Sequence, residues 1–175
     1  GDDRSRVAEL MCRIIQRNPD DLYAAGIQMQ EILQRNDDPK AREQIADTIA
    51  GLDQEQYDRL FLPQRLSGQF AESAILPQLA EYSVQAGKPD QAIALLSRAK
   101  DESLSNLYQG WPLLMRLMEL QLAQGRKDEA RTIMLSLVGK DSQSSLLRSQ
   151  GGLANTIMNM MENPSGGAKT MEDQV

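Results

Sequence analysis

One local pattern, repeated three times, restricts the fold of this chain more than any other feature. It reads Asn36-Asp37-Asp38-Pro39-Lys40-Ala41, then Gly87-Lys88-Pro89-Asp90-Gln91-Ala92, then Gly125-Arg126-Lys127-Asp128-Glu129-Ala130. In each, a Gly or Asn is followed five residues later by Ala. Gly and Asn tolerate the left-handed backbone that ends a helix. Pro39 and Pro89 suit the first turn of the next helix, where no amide hydrogen bond is lost. The acidic residues that follow favour its positive end. The Ala allows the new helix to press closely on the one before it.

The residues around each break confirm helical periodicity. Leu76, Leu79, Ala80 and Val84 precede the second break, and Ala92, Leu95, Leu96 and Ala99 follow it. Leu114, Leu117, Met118 and Leu122 precede the third, and Ala130, Ile133, Met134, Leu137 and Val138 follow it. Spacings of three and four define one apolar stripe per amphipathic helix. Ala, Leu, Gln and Met abound, while aromatic residues make up only 4% of the chain. That balance favours helices over strands. The expected fold is all-α, and 175 residues are enough for one domain with a sizeable core.

The run Ala80, Gly87, Ala92, Leu96, Ala99 resembles the small-Gly-Ala-large-Ala skeleton of the tetratricopeptide repeat. The third segment keeps Leu117, Gly125, Ala130 and Met134, with Met118 and Leu137 where that family prefers small residues. The first keeps Ala41 and Ile45 and has Asn36 for Gly. The resemblance implies an α-solenoid of antiparallel helix pairs over about residues 5–140. The repeats are irregular: Gly87 and Gly125 lie 38 residues apart and Asn36 and Gly87 51 apart, against about 34 in the regular family. The excess falls at about 53–70, read as an inserted short helix and loop with Tyr57, Leu60, Phe61, Leu62, Pro63 and Leu66. Pro19 follows a helix over 4–17, which then reads as the second helix of a repeat whose first is missing, as in a chain cut from a longer protein. Gly1 fits a cleavage scar. A stop at Gly139 and a start at Ser142 imply a capping helix over about 142–162, bent at Gly151-Gly152, within a repeat domain spanning 1–162. The tail 163–175 has little to bury and is expected to be disordered.

Several chemistries have no residues to carry them. Histidine is absent, which removes the usual general base and most zinc sites. The single cysteine, Cys12, excludes an intrachain disulfide and leaves the compartment open. Phosphate-binding glycine loops are absent. The net charge of −6 and the lack of a dense Lys/Arg stripe argue against nucleic acid. No stretch reaches the roughly 18 apolar residues that span a membrane. The acidic pairs Asp20-Asp21, Asp37-Asp38 and Asp101-Glu102 read as helix caps rather than acid/base or calcium groups. Cys12 reads as a buried small hydrophobe. Trp111-Pro112 reads as the start of a repeat's first helix, with the Trp as a wedge between repeats. Met158, Met160 and Met161 fit core capping, or a soft surface for a partner or second copy.

The expectation is therefore no catalytic residues, no metal, no cofactor, and a protein or peptide partner. The register that the resemblance implies puts the partner on a concave face lined by Tyr23, Ile27, Gln30 and Gln34, then Gln78, Glu81 and Gln85, then Met115, Arg116 and Glu119. Such a face is rich in amides and mixed in charge. It suits an extended peptide or a helix. The implied role is a scaffold or adaptor, an assembly factor or chaperone-like protein. The alternative is a self-associating module of a longer, multidomain or membrane-anchored protein, with 142–162 as a route to a homo-oligomer.

Overall fold

A computed structural model describes residues 2–17, 33–34 and 38–141. Among these residues the chain is all-helical, with eight helices and no strand: α1 Asp2–Arg17, α2 Pro39–Ala50, α3 Gln54–Leu66, α4 Glu72–Gln85, α5 Pro89–Ser97, α6 Lys100–Ser105, α7 Leu107–Ala123 and α8 Lys127–Asp141. The chain divides into two compact units between Asp101 and Glu102. The expected capping helix and tail lie outside the described residues, as do Asn36 and the first repeat helix apart from Leu33 and Gln34.

The second and third breaks are one structure built twice. At the end of α4, the Gly87 amide donates to the Val84 carbonyl at 3.0 Å and the Lys88 amide to Ser83 at 2.8 Å. At the end of α7, Gly125 donates to Leu122 at 3.1 Å and Arg126 to Gln121 at 2.7 Å. Both are the paired bonds of a Schellman cap, and both put glycine at positive φ, +77° and +74°. Pro39 and Pro89 occupy helix starts, and Asp38 caps α2 by accepting from the Lys40 amide at 3.1 Å. Ala41, Ala92 and Ala130 are buried at 2%, 0% and 0% exposure, so each break does bring its alanine into the core. No atom lies within 4 Å of a Cβ added at Gly125. Gly125→Ala is thus expected to cost only the strain of a left-handed alanine, about 1–2 kcal/mol, read as a lower urea midpoint at unchanged slope.

A third cap of the same kind ends α3: Gly68 (φ +85°) donates to Arg65 at 3.0 Å and Gln69 to Gln64 at 2.8 Å. The inserted segment is therefore a full helix, running through Pro63. It opens on a capping box between Asp53 and Gln56, with Gln56 N–H to Asp53 Oδ1 at 2.7 Å and Asp53 N–H to Gln56 Oε1 at 3.0 Å.

In the first unit α2 packs on α1 and on α4, and α4 packs on α5. The contact of α2 with α4 leaps over α3 in the chain. Ile15, Ile45, Ile49, Ile75, Leu76, Leu79, Leu95 and Leu96 fill this core, each at 0% exposure. In the second unit α7 packs on α8 through Leu113, Leu114, Leu117, Ala130 and Ile133.

Three expectations need correction. Helix α7 begins at Leu107, not at Trp111-Pro112, because Asn106 marks the break and Pro112 is accommodated within the helix. Gly139 does not stop α8, which continues to Asp141, because a glycine that keeps helical dihedrals does not end a helix. Val138, placed on an apolar stripe, is 50% exposed, as is Leu10 of α1. On α1 the buried positions are Met11, Cys12 and Ile15, which turns Leu10 outward.

Candidate functional site

The helix faces that the sequence assigns to a partner follow from the core register. On α4 the buried residues Glu72, Ile75, Leu76, Leu79, Ala80 and Ser83 recur at three and four. Gln78, Glu81 and Gln85 therefore fall on the opposite side. Gln85 is exposed and the other two are half-buried. The Gln78 amide donates to the Ala74 carbonyl at 3.1 Å, which lays its side chain along the helix. Beside them Tyr82 carries the Arg42 guanidinium 4.9 Å above its ring, fixing α2 to this edge of α4.

On α7 the buried set Leu113, Leu114, Leu117, Met118 and Gln121 likewise turns Met115, Arg116 and Glu119 away from the core. Met115 and Arg116 are half-buried and Glu119 is exposed. Arg116 and Glu119 pair at 3.0 Å one turn apart. Gln34 is exposed and helical. Tyr23, Ile27 and Gln30 lie outside the described residues. The structure thus brings the residues together by threes on two helices, each in its own unit. The α4 set offers amide and carboxylate hydrogen bonding, and the α7 set an ion pair beside a thioether.

The polar cluster that the sequence reading did not single out is buried in the first unit. Glu72 is 0% exposed and accepts from Arg65 Nε at 2.5 Å, from Arg65 Nη2 at 2.7 Å and from the Tyr57 hydroxyl. Tyr57 is itself fully buried, its ring 4.8 Å from that of Phe61 and covered on one side by the Arg98 guanidinium at 4.9 Å. Arg98 in turn donates to the carbonyls of Ile49, at 3.5 Å, Ala50, at 3.3 Å, and Leu52, the open end of α2. The cluster ties α3 to α4 and to the end of α2. A signal lay in the sequence as an Arg and a Glu flanking Gly68, but the pairing needs the Gly68 turn to bring them together.

Burial, then the Glu72 charge and hydrogen bond, push the Tyr57 phenol far above its ordinary range. Its folded pKa is raised, so its stabilising effect is complete below the unfolded value near 10 and is lost as pH rises past it. Lys88, bound to Glu43 at 2.9 Å and Asp47 at 3.0 Å, is also raised and acts in the same direction. Urea unfolding is expected to weaken by about 1.4 kcal/mol per pH unit from Tyr57 alone just above pH ~10. Tyr57→Phe should flatten that fall. An equally steep fall in the variant would show that Tyr57 is not the group responsible.

Cys12 is 3% exposed, and its thiol points to the Gln44 carbonyl at 3.9 Å. Desolvation, ahead of the other influences, pushes its pKa up, so it remains a protonated, inward thiol. Trp111 is half-buried. Among the described residues no group of three or more carboxylate and thiol side chains is placed to hold a metal, and no helix is long and apolar enough to cross a membrane. No known family model, curated protein or solved structure matches the chain.

Proposed function

We propose that this chain is a protein-binding scaffold built as an α-solenoid of tetratricopeptide-like helix pairs, with an adaptor, assembly or chaperone-like role rather than a catalytic one. The observation that carries this reading is the twice-built break. Two helix pairs, α4 with α5 and α7 with α8, turn on the same two hydrogen bonds around Gly87 and Gly125, and each buries the alanine five residues on. A unit repeated in this way forms a scaffold of helix pairs whose first helices keep a polar outer face. Those faces are Gln78, Glu81 and Gln85 on α4 and Met115, Arg116 and Glu119 on α7. They suit an extended peptide or a helix, held by side-chain amides and a few apolar contacts.

The test is site-specific crosslinking in cells of origin. A photoreactive phenylalanine at Glu81 or Glu119 should give one discrete adduct each, and at the exposed Ala94 of α5 none. Equal labelling from all three positions, or none from any, overturns the reading.

One observation favours a second reading. Leu135 and Val138 on α8 are 63% and 50% exposed, an apolar pair suited to a second copy or to a neighbouring domain. A concentration-dependent mass in sedimentation, abolished by Leu135→Asp, would support self-association. A strict monomer would remove it.

A further inference from the structure

Helix α1 has two faces of opposite character. Met11, Cys12 and Ile15 are buried. Arg6, Glu9, Leu10, Arg13, Gln16 and Arg17 are exposed. At 3.6 residues per turn, Arg6, Leu10, Arg13 and Arg17 fall in one line on the side directly away from the buried residues. The line is about 16 Å long at 1.5 Å per residue. Glu9 and Gln16 border it on one side, and Glu9 bonds Arg13 at 2.6 Å with both side chains about half exposed, so that pair is held only weakly in water. Asp2 and Asp3 precede the line in the sequence.

We propose that this outward face of α1 docks an acidic segment of a partner protein, one that presents carboxylates on either side of a single apolar side chain. The argument rests on charge. The chain as a whole carries −6, which disfavours an acidic partner in general, whereas this line of three arginines attracts one. Arginine is suited to such a partner because its planar guanidinium receives a carboxylate with two parallel bonds. Leu10, 50% exposed between Arg6 and Arg13, supplies one apolar contact of the size that fixes the register of a docked helix or strand. A lipid surface fits less well. A helix lying on a membrane needs a broad apolar face, whereas this face has one leucine. The site is separate from the faces of α4 and α7 and does not depend on what those bind.

The probe is a fluorescein-labelled peptide of roughly 16 residues, with Glu three and four positions either side of one Leu. Its anisotropy is titrated with the full chain at low and physiological salt, alongside the same peptide with Lys for Glu. Saturable binding of the Glu peptide, weakened as salt rises, and none of the Lys peptide are expected. Arg6→Glu with Arg17→Glu should weaken it at least about tenfold, while Arg6→Lys with Arg17→Lys should lose less, and circular dichroism should show both variants equally helical. Three results would overturn the proposal: equal binding by the reversed variant, no saturation by about 1 mM chain, or binding of phosphatidylserine vesicles in place of the peptide. Glu81→Lys should leave the titration unchanged, which separates this site from the α4 face.

Discussion

Glu72→Ala is expected to destabilise the chain by about 3–4 kcal/mol, the range for removing one partner of a buried pair. The loss has two parts that can be told apart. The Tyr57 hydroxyl, in a residue at 0% exposure, loses its acceptor and cannot reach water, which costs about 1–3 kcal/mol. Arg65 loses both of its bonds to the carboxylate, but its side chain is 22% exposed and can turn towards solvent, so it contributes less. Glu72→Gln should fall between, since the amide oxygen still accepts while the charge is gone. The triple replacement Tyr57→Phe, Arg65→Met and Glu72→Met should recover much of the loss, because an apolar set of similar volume removes the buried polar groups together. The measure is the urea midpoint at constant slope. A loss below about 1 kcal/mol for Glu72→Ala would mean that the cluster is open to water.

The same cluster shows what the sequence reveals and what it hides. Breaks that depend on one residue's backbone preference are legible: Gly87 and Gly125 end helices because little else sits at φ near +75°, and Pro39 and Pro89 begin them. Stripes of Leu and Ala at three and four are legible for the same local reason. The Gly68 cap has the same chemistry, but no Ala stands five residues on, where the chain has Ser73, so the repeat pattern passed over it. Tyr57, Arg65, Glu72 and Arg98 meet only through tertiary packing, and no spacing of three or four links them. Outward and inward positions near helix ends are the weakest reading. Val138 continues an apolar pattern in the sequence, yet is 50% exposed near the end of α8. The outward sides of α4 and of α7 were legible as a register, since the buried residues of each helix fix which side is left over. The arginine line of α1 makes no dense basic run, because its members are spread over twelve residues and align only on a helix.

Gly110→Ala should be among the most damaging single-methyl changes in the second unit, and it opposes the usual rule for glycine in a helix. Within α7 an alanine would ordinarily stabilise by about 1 kcal/mol, by reducing backbone freedom in the unfolded chain. Here the added Cβ would stand 2.5 Å from the Cα and Cβ of Ser103 and 2.8 Å from its carbonyl oxygen. Two of these atoms are backbone, so no rotamer change at Ser103 relieves the contact and no side-chain substitution at 103 rescues it. The helices α6 and α7 must move apart by about 1 Å. That shift loosens the packing behind Gly110, where Leu113, Leu114 and Leu117 are each at 0% exposure. The overpacking cost of about 3 kcal/mol or more outweighs the propensity gain. The net effect, about 2 kcal/mol, should lower Tm by about 4–8 °C for a chain of this size. Gly139→Ala is the internal control: it is also helical, and nothing lies within 4 Å of its added Cβ, so it should be neutral or raise Tm by a few degrees. Equal Tm values for the two variants would show that α6 and α7 do not meet at Gly110 as closely as the 2.5 Å contact requires.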